Sequence, residues 1–196
     1  TRRSSDLYGN SLWVYALLPL SWLYRFISFL RKSYLIAFSQ QKISVPVVIV
    51  GNISVGGTGK TPLIISLIEY LQQHGHTPGV VSRGYGGVAL QYPYLLTETS
   101  TAKESGDEPL LIFNATKCKV CVAPDRVAAA ELLVKQGCSI ILSDDGLQHY
   151  ALARDIEIVV IDGTRGLGNG KLLPEGALRE PPSRLNSVDL IVVNGQ

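Results

Sequence analysis

Lys60 and Thr61 stand directly behind the turn Gly56-Gly57-Thr58-Gly59, and the apolar run Val47–Val50 leads into that turn. Glycines carry no β-carbon, so the backbone N–H groups of such a turn can close around phosphate oxygens. Ser54, Val55, Gly56, Gly57, Thr58, Gly59, Lys60 and Thr61 are therefore the candidate nucleotide-phosphate residues. Lys60 is placed to reach the outer phosphates, and the Thr61 hydroxyl to bind Mg²⁺. Leu63–Leu71 reads as a helix whose positive end would face the same anion. The usual loop opens with glycine five residues before the Gly-Lys pair, where this chain has Ser54. The competing reading is a glycine turn that binds nothing. Strand, glycine turn, Lys-Thr and helix in this order favour phosphate.

A second cluster closes the run CSIILSDDGLQH. Asp144 and Asp145 end an apolar strand, and an acidic residue there commonly holds Mg²⁺ in a protein with a phosphate loop. Capping of the following turn is the alternative use of either one. Gln148 and His149 follow; a lone histidine is as often packing as chemistry. Arg83, in SRGYGG, could set a guanidinium against a transferring phosphoryl group, or could be a surface arginine before a turn. Asp107 opens a short helix ahead of Glu108 and Pro109. Helix capping and general-base duty both explain it, and spacing alone favours capping. The stretch 165–181, rich in glycine, proline and basic residues, is a long loop suited to an anionic substrate or lipid headgroup.

The elements that must position these residues alternate. Strands are expected over Val45–Val50, Pro78–Ser82, Lys119–Ala123, Ser139–Ser143, Ile156–Ile161 and Asp189–Val193, the last as a buried strand. Helices are expected over Thr61–His74 and Asp125–Gln136, with a short one near Glu108–Asn114. That alternation predicts an α/β fold, a mostly parallel sheet with helices on both faces, with ligands beyond the carboxyl ends of the strands. At 196 residues, 46% of them apolar, the chain can bury a sizeable core. A net charge of +2 gives no argument for a nucleic-acid partner. Cys118 and Cys121 form a CxxC, but on a strand an offset of three puts them on opposite faces, and no second pair completes a zinc site. They read as buried strand cysteines. The chain contains no methionine and stops just after the last expected strand, so it is expected to be part of a longer sequence.

Residues 1–40 form a separate expectation, ahead of a phosphate-loop domain over 41–196. Leu12–Leu30 is nearly long enough for a bilayer span, though Pro19 and Arg25 interrupt it. Trp13, Tyr15, Trp22 and Tyr24 suit an interfacial belt, and Arg31 and Lys32 follow. Membrane association is expected, as a span or as a helix lying in the interface. A helix packed on the domain is the alternative.

The blocks GNISVGGTGKTP, SRGYGG, GDEPLL, VAPDR, SDDGLQH and LLPEGALREP run in this order from Gly51 to Pro181. Together they resemble the tetraacyldisaccharide 4′-kinases, the lipid A 4′-kinases of Gram-negative bacteria. The resemblance implies a phosphate-loop fold and ATP- and Mg²⁺-dependent transfer of the γ-phosphate to the 4′-hydroxyl of a lipid A disaccharide 1-phosphate precursor. It implies attachment to the cytoplasmic side of the inner membrane, with no protein partner required. It assigns Lys60 and Thr61 to phosphates and Mg²⁺, Asp144 and Asp145 to the metal and active-site network, and raises Asp107 to the base for the sugar hydroxyl. Arg83, Glu108, Gln148, His149 and Glu180 match other positions of the family's active region. The alternatives are other phosphate-loop proteins. A GTPase would carry Asn-Lys-x-Asp after a late strand, where here Gly195 follows Asn194. A partition- or targeting-type ATPase switch would carry a lysine where Val55 stands.

Overall fold

β-Branched, apolar segments build the sheet because both of its faces are covered. In the computed structural model, which describes residues 17–195, the strands are β1 (Val47–Gly51), β2 (Pro78–Ser82), β3 (Tyr94–Leu95), β4 (Lys119–Val122), β5 (Ile140–Asp144), β6 (Ile156–Asp162) and β7 (Leu190–Asn194). They form one sheet in the order β3-β4-β2-β5-β1-β6-β7. All pairings are parallel except β3 on β4. The expected strands lie within two residues of those seen. The two-residue β3 carries too little pattern to read in advance.

The helices are α1 (Leu18–Tyr34), α2 (Lys60–Gln73), α3 (Ala102–Ser105), α4 (Asp107–Thr116) and α5 (Arg126–Lys135). Side chains alternate across each strand, so the core divides in two. Val48, Val50, Val80, Val120 and Leu142 pack with Ile64 and Ile68 of α2 and Ile112 of α4. Val47, Ile49, Val81 and Ile141 pack on the other face with Ala129, Ala130 and Leu133 of α5. Cys118 belongs to the first cluster and Cys121 to the second, as the offset of three requires. Burial pushes their thiols up, to about 11 and about 12. Both are free thiols, and among the described residues no group of three metal-binding side chains occurs.

One expectation is corrected. β7 is an edge strand, with Leu190, Ile191 and Val193 about half exposed or more, rather than a buried one. Among the described residues no helix is long and apolar enough to cross a membrane. Residues 12–16 of the apolar stretch, with Trp13 and Tyr15, lie outside the described residues. What α1 does show is inverted amphipathicity. Ser21 is buried, and Tyr24, Ser28 and Lys32 on the same stripe are partly covered, while Trp22, Leu23, Phe26, Ile27 and Phe29 are each at least half exposed.

Candidate active site

The parallel register brings the chemistry together at the carboxyl ends of the central strands. Asp144 lies beside Val50, one residue before the chain leaves β1 for the glycine turn. On the other side Ser82, at the end of β2, donates to Asp144 Oδ2 at 3.2 Å. A cleft of about 700 Å³ opens there, large enough for a nucleotide and part of an acceptor. Of the expected residues, Gly56, Gly57, Lys60, Arg83, Asp107, Glu108, Asp144, Asp145, Gln148 and His149 line it.

The phosphate loop is held from three sides. Asn52 Nδ2 donates to Gly56 O at 3.3 Å, Asn194 Nδ2 to Thr58 O at 3.2 Å, and the Arg165 guanidinium to Gly57 O. Gly59, at φ 80°, turns the chain into α2 with no side-chain cap. That leaves the first helical N–H groups facing the cleft mouth, an anion site by geometry. Ser54 and Val55 have a different job: Ser54 bridges to Leu178, and the Val55 N–H donates to Ala177 O at 2.8 Å. They tie the loop to the strap 175–180 rather than line the cleft. Thr58 is buried, and Thr61 follows Lys60 at the start of α2.

Lys60 Nζ lies 3.4 Å from Asp145 Oδ1. Asp145 itself has φ 47°, a left-handed conformation that is costly for a residue with a β-carbon. Arg126 Nη1 holds it there through a 2.9 Å bond to Asp145 O, and Arg179 Nη1 donates to Asp145 Oδ2 at 3.0 Å. Burial works to raise the Asp145 carboxyl, but Lys60 and Arg179 outweigh it and hold it below its ordinary range. Its neighbour goes the other way. Burial, reinforced by Glu108, raises Asp144 to about 6. Asp144 Oδ1 is buried with no hydrogen-bond partner among the described residues. A cation fits that orphaned oxygen, and Thr61 stands in the first turn of α2 next to Lys60, which lines the same cleft. So sparse a protein ligand set suits Mg²⁺, which takes phosphates and waters as its other ligands.

Asp107 is the first residue of α4, with Gly106 as N-cap, and its exposed carboxylate makes no hydrogen bond among the described residues. It therefore does not cap, and the use that spacing alone favoured is removed. Its placement comes from glycine packing. A β-carbon on Gly87 would lie 2.4 Å from Gly106 N, and one on Gly106 would lie 2.6 Å from Tyr85 O. SRGYGG and GDEP can thus touch backbone to backbone, which brings Arg83 and Tyr85 to the same cleft as Asp107. His149 is half-buried; burial first, then Arg126 and Arg154, lower its pKa to about 4, so it is neutral at pH 7. Glu180 does not line the cleft. It sits behind Gln148, accepting from Gln148 Nε2 at 2.9 Å and from the Tyr150 hydroxyl.

Sequence reading missed two arginines. Arg126 is 4% exposed at the first position of α5, behind its cap Asp125, which accepts from Val127 N at 2.9 Å. A cation at a helix N-terminus opposes the dipole, and that misfit was the available signal. Arg179 lay in LREP beside Glu180, but its partner Asp145 is 34 residues away in sequence.

A parallel sheet, a glycine loop leading into a helix that starts at lysine, and an acidic pair on the adjacent strand define a phosphate-loop α/β protein. Residues 13–196 match the LpxK family, tetraacyldisaccharide-1-P 4′-kinase. The chain is 57% identical over 182 residues to a tetraacyldisaccharide 4′-kinase of Colwellia psychrerythraea, covering 92% of this chain and 53% of that protein. It is 49% identical to the enzyme of that name from Hahella chejuensis, covering 96% and 58% of the two chains. A crystal structure of LpxK from Aquifex aeolicus in complex with ATP superposes with a TM-score of 0.81 at 30% identity, covering 94% of this chain and 60% of that one. The chain belongs to the tetraacyldisaccharide 4′-kinase family and spans a little over half the length of the relatives it matches.

Proposed function

We propose that the protein of which this chain forms at least a part transfers the γ-phosphate of ATP to the 4′-hydroxyl of a lipid A disaccharide 1-phosphate precursor. The observation that carries this reading is the meeting, in one cleft, of a phosphate loop and an exposed carboxylate freed from capping. The ATP complex of the Aquifex relative supports the nucleotide. The Lys60 ammonium and the N–H groups at the start of α2 hold the β- and γ-phosphates. Asp144 Oδ1 and the Thr61 hydroxyl would hold Mg²⁺, which would supply neutralisation of charge on the phosphate oxygens. Asp107 accepts the proton as the 4′-oxygen bonds to the γ-phosphorus and the bond to the ADP oxygen breaks. Arg83, Arg126 and Arg179 bring positive charge around the equatorial oxygens. Glu108, Gln148 and His149 face the acceptor, His149 as a neutral hydrogen-bonding ring.

The exposed apolar side chains of α1 seat the protein on the cytoplasmic face of the inner membrane as an interfacial helix, where the acceptor resides. No protein partner and no nucleic acid enters this reaction. Incubating the full-length protein with labelled ATP, Mg²⁺ and purified lipid disaccharide 1-phosphate tests the reading. Label appearing at the 4′-position is the expected result; ATP consumption without labelled lipid overturns it.

A further inference from the structure

The covered stripe of α1 is polar, and among the described residues its side-chain hydrogen bonds and ion pair go to one segment. Ser21 Oγ accepts from Glu175 N at 3.3 Å, Tyr24 donates its hydroxyl to Arg179 O at 3.1 Å, and Lys32 Nζ lies 3.7 Å from Glu180 Oε2. Lys32 also sits 4.6 Å above the ring of Tyr150, whose hydroxyl donates to Glu180. From Glu180 the polar contacts run on without a gap. Gln148 Nε2 donates to Glu180 Oε1 at 2.9 Å, Arg179 Nη1 contacts Gln148 Oε1 at 3.5 Å, and Arg179 Nη1 donates to Asp145 Oδ2 at 3.0 Å. Asp145 then meets Lys60 at 3.4 Å. The same strap, 175–180, pairs through Ala177 and Leu178 with Val55 and Ser54 of the phosphate loop.

We propose that Lys32 and Tyr24 are positioning residues: through Glu180 and the Arg179 carbonyl they set the strap that aims Arg179 and Gln148 into the cleft. α1 is thereby coupled to the transfer site through the strap. The inference rests on the kinase reading for its catalytic consequence, but its structural part stands apart from it.

Magnitudes separate positioning from plain stabilisation. The Lys32 side chain is 35% exposed, and an ion pair so open to solvent contributes about 1 kcal/mol or less to stability. A small displacement of Arg179 and Gln148 costs more in rate than in stability, because transfer depends on geometry. Lys32 faces the body of the protein, whereas Trp22, Phe26 and Phe29 carry the apolar face. Anchoring and positioning therefore reside on different residues of one helix and can be separated.

The test uses the full-length protein, Lys32→Met, Lys32→Arg and Tyr24→Phe, and vesicles of phosphatidylethanolamine and phosphatidylglycerol. Lys32→Met is expected to lower kcat roughly tenfold while KM for ATP, thermal stability and vesicle binding stay near wild type. Lys32→Arg restores most of the loss. Amide exchange over 175–180 is expected to quicken in Lys32→Met and, to a lesser degree, in Tyr24→Phe. Unchanged exchange over 175–180 in both variants overturns the proposal. So does a loss of kcat that merely tracks a loss of vesicle binding, since α1 would then be an anchor alone. If Lys32→Met does not fold, Tyr24→Phe, which removes one hydroxyl, carries the same comparison. Failure of the wild type to phosphorylate the lipid sinks the kinase reading instead, and the exchange data still decide the coupling.

Discussion

Helices α1 and α2 each bring a lysine to a carboxylate, α2 to Asp145 at the end of β5 and α1 to Glu180 on the strap 175–180, and they do so from opposite situations. α2 hides its apolar residues: Ile64 and Ile68 are fully buried against the sheet, and Lys60 emerges at its uncapped N-terminus to meet Asp145. α1 shows its apolar residues and hides serine, tyrosine and lysine, with Lys32 in its last turn meeting Glu180. In water the second arrangement is the costly one. Seven leucine, isoleucine, phenylalanine and tryptophan side chains of α1 are exposed, the apolar face that the proposed function places against lipid. The difference teaches that the sign of burial, more than apolar content, tells which helix belongs to the core and which to an interface.

The comparison breaks first at Lys60. Lys60→Ala is expected to slow transfer by roughly 10³–10⁵-fold in a protein that still folds, because phosphoryl transfer relies on charge placed against the phosphates. A folded variant with near-normal turnover would remove the phosphate-loop assignment and make the two lysines equivalent. Asp107→Asn comes next, at roughly 10²–10⁴-fold in turnover with little change in ATP affinity. Asp107 makes no cap, so thermal stability should hold; turnover held as well would show that another group takes the proton.

Stability separates the helices themselves. Ile68→Ala is expected to cost about 2–5 kcal/mol in denaturant unfolding, since it opens a cavity against the sheet. Phe26→Ala, on the open face of α1, is expected to cost less than about 0.5 kcal/mol and yet to weaken vesicle sedimentation. Equal stability losses would place α1 in the core after all.

The smallest effect concerns the dry end of β5 beside α2. Asp144 is raised to about 6, so its contribution to stability grows as pH falls from about 6 toward 4 and is lost as pH rises through about 6. His149 is lowered to about 4 from 6.5, so its contribution is present above pH 6.5 and is lost as pH falls toward 4. The two slopes oppose each other. In metal-free buffer, Asp144→Asn should therefore steepen acid destabilisation relative to wild type, and His149→Asn should reduce it. Thermal midpoints of the three proteins across that window check the sign; parallel curves would show that neither group is held in its shifted state.

Much of the site was legible because its signals are local. Val47–Val50, the glycines and Lys60 report a strand, a turn and a helix start within a few residues, and each element formed there. The ends of β2 and β5 were legible for the same reason, so Ser82, Arg83, Asp144 and Asp145 fell where the parallel sheet expects its ligands. Spacing alone favoured Asp107 as a cap and only the resemblance raised it to base, because Gly106, which takes the N-cap position, has no side chain to announce the role. The edge character of β7 and the two-residue β3 escaped because exposure depends on neighbours, and short strands have no period.

By itself, then, the chain determined its strands, its phosphate turn and the class of chemistry at the strand ends, because backbone preference and side-chain alternation act over a handful of residues. Only the tertiary structure decided which cation meets which carboxylate. Arg179 reaches Asp145 and Lys32 reaches Glu180 across 34 and 148 residues of chain, contacts that exist once parallel crossovers stack β1, β5 and β6 side by side. It also decided that α1 turns Ser21, Tyr24 and Lys32 inward, since that choice rests on the polar groups offered by the strap 175–180 and not on anything within the helix.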